Sequence, residues 1–175
     1  MSEAAKIVVV CIVLAIVYGI VHDQITARIC VEYFTVFHPP VFPTKSPTWL
    51  ALGWGVIATW WVGVFFGVSL VFVARAGSRP QLAARELLRP IFFLFAAMAC
   101  CAFLAGLGGF LAARAGLVGQ PEWLIPSLGQ CAYPRFLADW CAHSASYGSG
   151  VLGGVGFCIL QYRRRIALSG KRNVR

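Results

Sequence analysis

The three histidines of this chain, His22, His38 and His143, stand close in sequence to acidic residues, and their spacing suggests where chemistry could occur. Asp139, His143 and Tyr147 recur four residues apart. On a helix that spacing stacks a carboxylate, an imidazole and a phenol on one face, one turn between each. A second group, His22-Asp23-Gln24-Ile25-Thr26, places His22 and Thr26 on a common face. Neutral imidazoles and carboxylates together make divalent-metal sites of the zinc type. His22, Asp23, Asp139 and His143 could therefore hold such an ion if the two groups meet. The same set could form a proton relay, an acid-base pair or a satisfied hydrogen-bond network. Glu32 lies nine residues beyond Asp23, about 180° round a straight helix, so it joins the site only across a bend. No HExxH, GxSxG or Walker-type motif accompanies these residues, so no reaction class is specified.

The elements that must position them are set by composition. With 59% hydrophobic and 12% charged residues, the chain is too apolar to cover a soluble domain with mixed charge. The expected fold is all-α, a polytopic membrane protein built as one four-transmembrane-helix bundle. Its spans run over about 4–22, 48–74, 91–113 and 140–162, each near the roughly 20 residues that cross a hydrocarbon layer. Backbone groups in lipid must pair internally, which makes these spans helices. The first run lacks an Ala-x-Ala-like cleavage site and reads as a retained span.

Charge sets the orientation. Lys6, the 75–90 connection with Arg75, Arg79, Arg85 and Arg89, and the 163–175 tail hold most of the 15 basic residues. The positive-inside rule makes that side, with both termini, cytoplasmic, as in a bacterial inner membrane. The opposite side, with loops 23–47 and 114–139, carries the histidines. A basic tail beside a span sits against anionic lipid, and no aromatic residues interleave with its arginines for nucleic-acid stacking. The expected surroundings are the lipid bilayer and a membrane-protein partner or further copies of the chain.

Small residues at four-residue intervals mark three packing ridges: Gly55, Thr59, Gly63 and Gly67 on the second span; Cys101, Ala105 and Gly109 on the third; Ser146, Gly150 and Gly154 on the fourth. Such ridges let backbones approach where dispersion drives association. Ser46 before Pro47 starts the second span. Ser78-Arg79-Pro80-Gln81 suggests a capping box for a short interfacial helix ended by Pro90. The unbroken stretch from His22 to Phe37 extends the first helix outward, until Pro39, Pro40, Pro43 and Pro47 force an extended return. Of seven cysteines, Cys30, Cys131 and Cys141 fall on the outer side, where at most one disulfide could form among them. The absence of CxxC removes the usual thiol-oxidoreductase and structural-zinc signatures.

Tyr18-Gly19-Ile20-Val21-His22-Asp23-Gln24-Ile25-Thr26, followed by Glu32-Tyr33-Phe34-Thr35 and His38-Pro39, resembles the signature of an uncharacterised family of bacterial four-span membrane proteins. Arg79-Pro80 through Leu88-Arg89-Pro90, and Arg135-Phe136 through His143 to Ser146-Tyr147, are also similar to it. The resemblance covers most of the chain and implies four helices in an inner membrane, with no activity attached. Three functions remain open on sequence: a binding protein or enzyme with an outer His/carboxylate site, a noncatalytic membrane subunit, and a small transporter component.

Overall fold

The computed structural model describes residues 1–173, with the side chains of 129–131 and 171–173 left out. Every regular element among the described residues is helical: α1 (Glu3–Ile29), α2 (Val31–Thr35), α3 (Pro47–Ile57), α4 (Trp60–Arg75), α5 (Ala84–Arg114), a 3₁₀ turn (Glu122–Leu124) and α6 (Ile125–Asn173). Among these residues three stretches are long and apolar enough to cross a membrane, Glu3–Ile29, Pro47–Arg75 and Ala84–Arg114. The protein is thus an all-helical protein with the character of a membrane protein. The expected fourth span, 140–162, lies inside α6 and is more polar, carrying His143, Ser144, Ser146 and Ser149.

α1 shows how the bundle is built for lipid. Ile7, Cys11, Ala15, Gly19 and Asp23 form its buried ridge, whereas Val9, Val13, Val17, Val21 and Ile25 are exposed. Apolar side chains face outward and small ones inward, the inverse of a soluble helix. The buried ridge meets the small residues of α3 and α4. A methyl group on Gly55 would lie 2.6 Å from Ile20 Cα, and one on Gly63 2.6 Å from Ile12 Cα. Gly67 meets Val8 Cα at 2.9 Å. The ridge crosses a break at Ala58 and Thr59, so the second span is two helices. Thr59 Oγ1 donates to Gly55 O at 2.5 Å across the break.

The helices associate as two pairs, α1 with α3 and α4, and α5 along α6, with sparser contact between the pairs. The α5 contact line differs from the expected ridge. Cys101 is exposed and Ala105 half-buried, while Ala102, Gly106 and Gly109 are buried against α6. Gly109 approaches Leu137 O, where an added methyl would lie 2.9 Å away. The shift follows from 3.6 residues per turn: over the roughly two turns from 101 to 109 a strict four-residue ridge drifts off the contact face, so Ala102 and Gly106 replace Cys101 and Ala105 while Gly109 stays. On α6, Ser146 and Gly154 are buried and Gly150 half-buried, but a methyl on Gly154 meets only Phe66, at 3.6 Å.

Several boundaries are corrected. Residues 125–139, expected as outer loop, belong to α6, which carries Pro134 in its interior. The interfacial helix is not separate: α5 starts at Ala84 and runs through Pro90 to Arg114. The expected capping box at Ser78 does not form. Carboxylates cap the helix instead, with Ala83 N donating to Glu86 Oε2 at 2.9 Å and Ala84 N to Glu3 Oε2 at 3.0 Å. Proline is carried because α5 stays packed on α6 on both sides of it.

At the same end of the bundle Arg165 of α6 is only 1% exposed. Its guanidinium donates to Pro80 O at 2.8 Å, Val73 O at 2.6 Å, and Ala76 O and Arg79 O at 2.7 and 3.1 Å. Those carbonyls belong to the last turn of α4 and the connection after it, which a helix C-terminus leaves without internal donors. Arg164 pairs with Glu86 at 2.8 Å beside it.

Candidate functional site

The two sequence groups meet. α1 ends at Ile29, Cys30 is extended, and α2 turns back over the end of the bundle. Instead of continuing as the expected unbroken helix from His22 to Phe37, the chain bends at Cys30. The bend carries Tyr33 and Phe34 onto His143, the Tyr33 ring stacking at 4.5 Å between centroids and Phe34 edge-on at 5.8 Å. His22 of α1 meets His143 of α6 edge to face at 4.6 Å. Tyr18 stacks on His22 at 5.9 Å, and its hydroxyl hydrogen-bonds Ser146 Oγ at 2.8 Å.

Hydrogen bonds fix the state of His143. Nδ1 faces the backbone oxygen of Asp139 at 2.9 Å; a carbonyl only accepts, so Nδ1 carries a proton. Nε2 faces Asp23 Oδ1 at 3.3 Å. In the neutral ring Nε2 presents a lone pair to the carboxylate, so a proton or a metal ion between them is what makes this buried contact favourable. Both side chains are under a tenth exposed. His22 Nε2 is buried and has no hydrogen-bond partner among the described residues. One ligand atom from each of His22, Asp23 and His143 lies within 4.8 Å of the others.

The remaining expected site residues are placed as follows. Asp139 is fully buried and neither carboxylate oxygen has a hydrogen-bond partner among the described residues. Its carboxylate is outside the three-residue group, which corrects its expected role as a ligand; its backbone oxygen orients His143. Thr26 Oγ1 is used within α1, donating to His22 O at 3.1 Å. Glu32 Oε2 accepts from the Cys30 thiol at 3.4 Å. His38 Nδ1 contacts Tyr33 O at 2.9 Å, and its ring packs on Phe34 and Trp54, away from the group. Tyr147 is 51% exposed and lines the larger cavity together with His143, whereas Asp139 is fully buried.

Cys30 and Cys141 are free thiols, so no disulfide joins them, and the side chain of Cys131 lies outside the described residues. Burial pushes the Cys30 thiol up to about 12, with the Glu32 carboxylate acting in the same direction. Burial also raises the Tyr33 phenol, so it stays protonated above His143. Tyr18, Tyr33 and Phe34 were not singled out by sequence because an aromatic near a membrane interface is ordinary. Their places in the resembling motif, Tyr18 at its start and Tyr33-Phe34 in the segment that follows, were the available signal.

Two apolar cavities flank the group. One of about 620 Å³ lies between α1, α4 and α6 and is reached by His22, Asp23 and His143. The other, about 330 Å³, lies between α1, α5 and α6 and is lined by His22 and Asp139. Comparison with family models, with curated proteins and with solved structures gives no match for the chain, so its functional reading rests on this geometry.

Proposed function

We propose that this protein is a membrane-embedded metal-binding protein whose divalent ion, of the zinc class, is held by His22, Asp23 and His143. The facing acceptors of His143 and Asp23 carry this reading. Two ligands about 2.0–2.1 Å from a tetrahedral ion lie about 3.3 Å apart, which is the Nε2–Oδ1 separation of 3.3 Å. A proton between them would satisfy that pair alone, whereas a metal also takes up the unpartnered Nε2 of His22. The three ligand atoms already lie within 4.8 Å of one another, so binding an ion would ask only for side-chain adjustment. The Asp139 carbonyl, by holding the proton of His143 on Nδ1, keeps Nε2 free to ligate. Three protein ligands leave one coordination position open, the pattern of sites that bind or activate a further ligand.

The site belongs near the outer face of a four-span bundle in a bacterial inner membrane, with both termini cytoplasmic, as in the four-span family the sequence resembles. The gathering of Arg164, Arg165 and the 75–83 connection at the far end of the bundle supports that orientation. The test is elemental analysis of protein purified from membranes without chelator. About one divalent ion per chain is expected, lost in His143→Ala and Asp23→Asn. Metal-free wild-type protein that takes up none on titration with zinc would refute it.

A further inference from the structure

The larger cavity gives this site an approach from the bilayer, and its shape selects a ligand. Its volume of about 620 Å³ is within the roughly 300–1,000 Å³ typical of ligand sites. Polar groups collect at one end, where His22, Asp23 and His143 stand. The rest of the wall is almost wholly apolar. Along α6 it runs from His143 to Ile159, about 24 Å at ~1.5 Å per residue, most of the ~30 Å thickness of a hydrocarbon layer. Gly150 and Gly154 keep α6 low along this course, and Val151 and Val155 rim it, exposed at 68% and 58%.

The outer side is roofed by Tyr33 and Phe34 over His143, so the route to the group is sideways, from lipid. Charge narrows the class. With Asp23 as the single charged ligand and two neutral imidazoles, a divalent ion keeps a net positive charge, which a monoanion complements. The Asp139 carboxylate lines the other cavity.

We infer that the groove binds a long-chain fatty acid, its carboxylate taking the open position on the metal and its tail lying along α6 toward Ile159. This inference rests on the metal-centre reading, and its test separates the two. Protein in phosphatidylcholine nanodiscs is assayed for metal and titrated with radiolabelled hexadecanoate on the same sample. About one hexadecanoate per bound metal is expected, with hexadecanol binding at least about tenfold more weakly. Gly154→Leu and Val155→Trp narrow the groove away from the ligands; both are expected to keep the metal and lose about tenfold or more in hexadecanoate affinity. Val155 lies at the exposed rim, so its replacement leaves the helix contacts intact.

Metal-loaded wild-type protein that binds no hexadecanoate overturns the inference while leaving the metal centre standing. Equal binding of hexadecanol, unchanged affinity in both groove variants, or hexadecanoate retained after the metal is stripped overturns it as well. Wild-type protein that contains and accepts no metal overturns the metal reading itself.

Discussion

Replacing Arg165 by methionine probes the basic end of the bundle with the least change of volume. A buried charge is expensive, and swapping a whole ion pair for apolar residues is often neutral. Here the partners are backbone carbonyls, which stay behind when the donor leaves. Four oxygens lose it: Val73 O, Ala76 O, Arg79 O and Pro80 O. Ala76 and Arg79 are exposed residues, so water replaces the guanidinium there. Val73 and Pro80 are half-buried, and each forfeits a charge-assisted hydrogen bond worth about 1.5–3 kcal/mol net. Part of this is regained because methionine avoids the cost of burying the charge. The expected loss is about 3 kcal/mol, or roughly a hundredfold in the folding equilibrium. Reversible unfolding by SDS titration in mixed micelles, followed by tryptophan fluorescence, measures it, and amide exchange in 76–83 should rise in parallel. Arg165→Lys keeps the charge without the planar fork and should fall between the two. An Arg165→Met protein within about 0.5 kcal/mol of wild type would show that the carbonyls do not depend on this side chain.

Two further outcomes follow from packing and burial. Gly63→Leu should abolish the monodisperse folded form in detergent, because its Cβ would lie 2.6 Å from the Ile12 backbone, whereas Gly154→Leu, with Phe66 at 3.6 Å, should retain it. Size-exclusion chromatography reads the contrast, and equal behaviour of the two would contradict the packing. The Cys30 thiol, pushed up to about 12, is almost wholly protonated at neutral pH, so its alkylation should be about a thousandfold slower than that of an ordinary thiol and should recover on unfolding. Peptide mapping after N-ethylmaleimide treatment measures this, with fast labelling of Cys30 in the folded protein as the contrary result.

Much of the site was legible in the chain because its signals are local. His22 beside Asp23, and His143 one turn beyond Asp139, needed only helical periodicity, whereas the break at Cys30 was not legible because no proline or glycine marks it between His22 and Phe37. What sequence could not supply was which atoms meet. Asp139 looked like a ligand by its type, yet it contributes a backbone oxygen, which every residue carries. The ridge on α5 was displaced by one residue because a periodic pattern gives a face only to within the drift of a turn. Arg165 was hidden among Arg163, Arg164 and the other basic residues of the tail, whose charge topology alone explained. Its burial arises from carbonyls left open at the end of α4, nearly ninety positions earlier in the chain.

Arg165 also has a mechanical meaning. It ties α6 to the end of α4, and Glu3 ties α1 to the start of α5, while Tyr18 with Ser146 and Asp23 with His143 join α1 to α6 toward the other end. His143 is about 33 Å from Arg165 along α6 at ~1.5 Å per residue. The two helix groups are therefore clasped at both ends, and the contacts around His143 must break before that end can part while the guanidinium holds the other.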